Sequence, residues 1–212
     1  MQRLNLLMAI SKQTYRINKS LLPEYEDWQV SFVPHGISYR RYKKVEDDDN
    51  VADRHEIKKY PKRRMSPLAV KDSAAINFTL FSYMIGNTDW SMAYQHNTEM
   101  FFDGKRMIAI PYDFDHSGLV NAFYAKPNPM LKISSVTERV YRGVCNRNSE
   151  VFNNMRNLYI SKEESIFNVL NSFEGLINEK EYKRIDSYLN SFYNIIKSDS
   201  EFKSKILDEC RG

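Results

Sequence analysis

The sequence predicts an α+β protein, a mainly helical body carrying small β hairpins. Three observations point to it. From 70 to 85, VKDSAAINFTLFSYMI is small or apolar on nearly every side, as a helix buried all round must be. Next, TEMFF and KRMIAI flank Asp103-Gly104, the dipeptide favoured in a tight two-residue hairpin turn. From about Ser135 onward the pattern is helical, in at least three segments broken near 146–149, 161 and 178.

The remaining elements follow in order. Residues 1–22 hold an apolar, helix-compatible start, LNLLMAI, and then a polar connection. WQVSFV, Trp28 to Val33, alternates apolar and polar as a strand does. A turn through Pro34 and Gly36 leads to ISYRRYKKV, a second strand, which makes an antiparallel hairpin. EDDDN at 46–50 ends it, and a basic stretch, expected to be helical, closes in KKYPKRR. Pro61 and Pro67 bracket a loop, and Gly86 stands where a helix C-terminal glycine would. After Gly118, NAFYAKPNPM reads as an ordered loop.

Composition bounds the function. A chain of 212 residues can bury one proper core, alone or with an appendage. Aromatics at 13% argue against disorder over most of its length. The net charge of +4 permits a basic patch, and RRYKK and KKYPKRR interleave cations with tyrosine. The acidic run between them offsets that patch, which argues against nucleic acid as a partner. Cys145 and Cys210 form no CxxC pair, so neither a zinc ribbon nor a redox pair is supported, and a reducing compartment is the simplest expectation. LNLLMAI is too short to span a bilayer. The chain is expected to be soluble, cytoplasmic by default or the mature form of a secreted precursor.

Chemistry concentrates in IGNTDWSMAYQHN, Ile85 to Asn97, and IPYDFDHSG, Ile110 to Gly118. Pairing Phe102 with Lys105 across the turn puts Asn97 opposite Ile110, so Asn97 and Asp113 share the hairpin's open end. Asp113 and Asp115, two apart, share a face if that segment is extended. Asp89 lies in the loop leading to Asn97. Oxygen ligands of this kind suit Mg²⁺, Mn²⁺ or Ca²⁺. A further acid beside the metal can orient or deprotonate a hydroxyl, and that layout is a kinase's. His96 and His116 are expected to make local hydrogen bonds, and Trp90 and Phe114 to pack. Arg139 and Arg142, at helical spacing around Tyr141, are expected to ion-pair with the acidic loop ends.

GNTDWSMAYQHN followed by IPYDFDHSGL resembles the spore-coat kinase CotH family and, more loosely, HipA-type kinases. The resemblance is specific over about residues 76–145. It implies a kinase-like C-lobe over 66–212, with residues 1–65 as a reduced N-lobe and hinge-like segment. Asp89 becomes the catalytic-loop acid. Asn97 and Asp113 become ligands of Mg²⁺ or Mn²⁺, with Asp115 an auxiliary ligand. YKKVEDDDN resembles the strand-to-hinge passage, which would set Glu46 near the adenine of ATP. The acceptor would be a hydroxyl of a protein or a small molecule. The N-lobe is largely missing or reduced: no two of the seven glycines lie close enough for a glycine-rich phosphate loop. Three readings follow: an atypical phosphotransferase, a non-catalytic pseudokinase-like module, and a metal-dependent phosphohydrolase using the same acids.

Overall fold

Helix α1, Asp72–Ile85, is the element on which the rest is assembled. The computed structural model describes residues 57–61 and 64–212. The expected helix in 1–22, the strands at 28–33 and 37–45, and Glu46 lie outside the described residues. Eleven of the fourteen α1 residues are buried, so neighbours must cover it on opposite sides. Ala75 and Phe78 face a small core with Val70, Trp90, Met92, Met100, Met107 and Ala109. Ile76, Leu80, Phe81, Tyr83, Met84 and Ile85 enter a larger core shared with the later helices. Gly86 ends α1 at φ 66°, and its N–H donates to the Ser82 and Tyr83 carbonyls, a left-handed cap that glycine adopts without a Cβ clash.

Among the described residues the sheet has three antiparallel strands in the order β1 (Lys58–Lys59), β2 (Thr98–Phe102), β3 (Met107–Pro111). Lys58 and Lys59 pair with Phe102 and Phe101, which corrects the helix expected there. The hairpin register is also corrected. Phe102 pairs with Met107 and Thr98 with Pro111, so the connection is Asp103 to Arg106 rather than two residues. Its cause is Asp103, whose Oδ1 accepts from the backbone N–H groups of Lys105 (2.8 Å) and Arg106 (2.7 Å) and widens the turn. These N–H donors hold the Asp103 carboxyl below its usual range despite the opposing cost of desolvation. A shift of two residues leaves every side chain on its expected face.

Helices α2 (Ser149–Ser161), α3 (Glu163–Asn171), α4 (Glu179–Lys197) and α5 (Asp199–Phe202) follow, with one π-helical turn at Lys203–Leu207. Asn148 caps α2 by accepting from Glu150 and Val151 N–H, and Asn178 caps α4 by accepting from Glu181 N–H. In α4, Ile185, Leu189, Phe192 and Ile196 form one buried stripe at helical spacing. Among the described residues no helix is long and apolar enough to cross a membrane.

Residues 135–148 are not helical, contrary to the expectation from Ser135 onward. Side chains there are committed elsewhere, and tertiary contacts override the local pattern. Glu138 Oε1 accepts from the N–H groups of Ser134 (2.8 Å) and Ser135 (3.0 Å). Tyr141 is buried with its hydroxyl 3.0 Å from Thr79 Oγ1. Arg139 donates to Met84 O (3.2 Å), Tyr188 O (2.6 Å) and Ser191 Oγ (2.7 Å), and its guanidinium lies 3.7 Å from the centre of the Tyr188 ring. It therefore binds carbonyls at two helices, not the acids expected. The cysteines depart from expectation too: Cys145 and Cys210 form a disulfide, a bond that persists in oxidising surroundings.

The Tyr188 hydroxyl fills a slot between two glycines. A Cβ on Gly118 would lie 2.4 Å from that hydroxyl, 2.6 Å from Val136 O and 2.9 Å from Thr137 Cα. Two of the three contacts are backbone and cannot rotate away. Gly118→Ala is expected to destabilise the fold by about 1–3 kcal/mol, read from urea unfolding. An unchanged midpoint would show that the slot is looser than its distances.

Candidate functional site

The Asp89 loop starts directly from the α1 cap. Asn87 is buried and its N–H donates back to Ser82 O (2.8 Å). Its side-chain Oδ1 accepts from the Asp89 N–H (3.0 Å), and its carbonyl accepts from the Trp90 indole N–H (3.0 Å). One asparagine thus sets the turn that presents Asp89. Trp90 is buried edge-on against Phe78, ring centres 4.8 Å apart, the packing role expected of it. Reciprocal backbone bonds between Ser91 and His96 (2.9 and 3.0 Å) close the loop.

This closure brings His96 and Asn97 onto Asp89. His96 Nε2 lies 2.9 Å from Asp89 Oδ1, the local hydrogen bond expected of His96. Asn97 Nδ2 donates to Asp89 Oδ2 (3.1 Å) and to its carbonyl (2.8 Å). Gln95 and Asn97 have φ of 52° and 47°, a left-handed conformation that asparagine tolerates better than most residues. The Asp89 side chain keeps 35% of its surface exposed, enough to meet a solute.

The second acidic segment lies beside the first at both ends. Tyr112 N–H donates to Asn97 O (3.2 Å), while Gly118 N–H donates to Gly86 O (3.1 Å) and Leu119 N–H to Ile85 O (2.9 Å). Asp113 and Asp115 are therefore carried on a loop tied to the start and the end of the Asp89 loop. The segment is not extended as expected: Asp113 has φ 57°, and Phe114 turns inward to pack on Phe81, ring centres 5.7 Å apart. The Tyr124 hydroxyl donates to Asp115 Oδ2 (3.0 Å). Its pKa is raised by desolvation first, then by that hydrogen bond and by the charges of Asp115 and Asp113.

Arg142 supports the Asp89 loop from beneath. Its guanidinium donates to Thr88 O and to Trp90 O (2.8 Å), the carbonyls on either side of Asp89, and lies 5.0 Å from the centre of the Trp90 ring. Burial pulls its pKa down to about 10, Arg211 adds to that, and Asp89 opposes it. The ion pair expected of Arg142 is thus replaced by carbonyl bonds next to the acid. Sequence reasoning did not give Arg142 this role, because the assumed helix hid it. It also missed Tyr124, which sits in a loop with no periodicity to mark it.

Asp89 and Asn97 meet directly, and Asp115 is bonded to Tyr124. Among the described residues no group of three or more His, Cys, Asp and Glu side chains is gathered as a metal set would be. The cation set expected here has two carboxylates and one amide. The Asn97 amide nitrogen is committed to Asp89, so a cation would be met by its Oδ1. By composition alone such donors are of the kind Mg²⁺ or Mn²⁺ takes, with few protein carboxylates and other positions left to water and phosphate. Compared with protein-family models, with curated proteins and with solved structures, the chain matches none of them.

Proposed function

We propose that the chain is a metal-dependent phosphotransferase of atypical, CotH-like kinase type. The observation that carries this reading is the double tie between the two acidic loops, at Asn97–Tyr112 and at Gly86–Gly118. It gives an exposed acid, Asp89, held by an amide that borders a separate acid pair. In this reading Asp89 accepts the proton of the acceptor hydroxyl and orients its oxygen. Asn97 keeps the Asp89 carboxylate aimed by bonding both its oxygen and its carbonyl. Asp113 and Asp115, with Asn97, would hold Mg²⁺ or Mn²⁺, which when bound with ATP would neutralise charge on the phosphates. Glu46 is proposed for the adenine side.

Asp113→Asn is expected to weaken Mn²⁺ binding at least tenfold, about 1.4 kcal/mol, because it removes a charged oxygen ligand. Thermal stability without metal is expected to hold or rise, since neighbouring carboxylates repel one another. Calorimetric titration of both proteins reads this, and equal Mn²⁺ binding would sink the assignment.

A second reading has its own observation. The 2.9 Å contact between His96 and Asp89 is an acid–imidazole pair able to take a proton from water, which favours a metal-dependent phosphohydrolase. Release of inorganic phosphate from ATP or a phosphomonoester, with none transferred to protein or a small hydroxyl compound, would select it.

A further inference from the structure

The segment that carries Arg142 has no helix or sheet ladder of its own. Buried Tyr141 anchors it on one side of Arg142; on the other, residues 210 and 211 hold it ahead of Arg147, which is bonded to Val70 O and Asp72. Cys210 is bonded to Cys145 with their Cα atoms 5.0 Å apart. Arg211 N–H donates to Gly143 O (2.8 Å) and Cys145 N–H donates to Arg211 O (2.9 Å), a parallel bridge between Val144 and Arg211. The Arg211 guanidinium donates to the Arg142 carbonyl as well (3.0 Å from Nε). From that same residue the Arg142 side chain reaches the Thr88 and Trp90 carbonyls. A continuous line of bonds thus runs from the disulfide through Arg211 and Arg142 to both sides of Asp89.

We propose that Arg142 is a positioning residue for Asp89 and that the Cys145–Cys210 disulfide, by seating residues 210–211 on residues 142–145, makes that positioning redox-dependent. The proposal rests on the reading of Asp89 as the reactive acid. Reduction by a dithiol breaks the S–S bond. The dithiol gives up two electrons and two protons and closes to its own cyclic disulfide, leaving thiols on Cys145 and Cys210. Of the Arg211 contacts that remain, the guanidinium bond to the Arg142 carbonyl is solvent-exposed, and water competes for it. With residues 210–211 loosened, Arg142 keeps only the anchors at Tyr141 and Arg147, and its hold on the loop weakens.

Hydrogen exchange on the whole chain, with and without a dithiol, tests this. The amides to read are Asp89, which donates to Asn87 Oδ1, and Ser91, which donates to His96 O. Reduction is expected to speed their exchange about tenfold or more, while amides in the middle of α1 stay protected. Arg142→Met keeps an aliphatic stem beside Trp90 but removes the donors. It is expected to give fast loop exchange in both redox states, and Arg142→Lys, which restores a donor, is expected to recover part of the protection. A role in packing alone would not separate those two variants. Cys145→Ser with Cys210→Ser should mimic reduction; if that protein does not fold, the dithiol titration of the unaltered chain carries the test. Loop exchange unmoved by the dithiol, or identical in the Met and Lys variants, overturns the proposal. Because the measurement reads loop protection rather than turnover, it stands apart from any failure of Asp89 to transfer phosphate.

Discussion

Asp89→Ala is expected to lower phosphate transfer by about 10²–10⁴-fold, the usual worth of a positioned general base. Its Mn²⁺ affinity is expected to stay within a few-fold, roughly 1 kcal/mol. The split follows from where the residue sits. Asp89 is bonded by His96 and Asn97, whereas the proposed cation is held chiefly by Asp113 and Asp115. The alanine variant should also fold, because the Asp89 backbone bonds to Asn87 and Asn97 involve main-chain atoms that alanine retains. Transfer from labelled ATP to a protein or small hydroxyl acceptor, read alongside a metal titration, checks both halves. Loss of metal binding in Asp89→Ala would make Asp89 a ligand and the kinase-like layout wrong.

Phe192→Ala is the second large effect, and it tests the fold alone. Phe192 is fully buried and meets Tyr83, Tyr159 and Tyr193 with ring centres 6.3, 5.9 and 5.3 Å away. Those three belong to α1, α2 and α4, so truncation opens a cavity where the helices meet. The expected cost is about 3–5 kcal/mol, a large share of the 5–15 kcal/mol typical of a domain. A lowering of Tm by roughly 6–20 °C follows at about 2–4 °C per kcal/mol for a chain of this size. A loss below about 1 kcal/mol would mean that the helices do not pack as described.

How much of this was legible in the sequence depended on whether the signal was local. The buried helix announced itself because VKDSAAINFTLFSYMI has no polar face, and Gly86 closed it by the chemistry of one residue. The hairpin was legible as a pair of strands, but Asp103 chose a longer turn by capping two N–H groups that a dipeptide rule does not count. Residues 135–148 read as helix because their residue types permit one. Arg139, Tyr141 and Arg142 instead reach partners 49 to 62 residues away, and no window along the chain contains those partners. The disulfide was hidden for the same reason, with 65 residues between its cysteines. Within the site, the meeting of Asp89 with Asn97 followed from the loop between them. The left-handed turn at Asp113 did not, since a two-residue spacing indicates a shared face only in an extended chain.

Helix α1 is the common wall of both cores, since its residues line the sheet-side cluster and the helix-side cluster alike. A wall shared in this way means that opening either compartment uncovers apolar surface of the same helix. Opening the hairpin exposes Phe78 and Ala75, and opening the bundle exposes the opposite flank of the same helix. The stability of each half is thus coupled to that of the other through one helix. The acidic loops leave this wall at its C-terminal end, where the Gly86 and Asn87 N–H groups are bonded back to the helix. A solute that met Asp89 would therefore bear on loops anchored at Gly86 and Gly118, directly against the wall the two cores share.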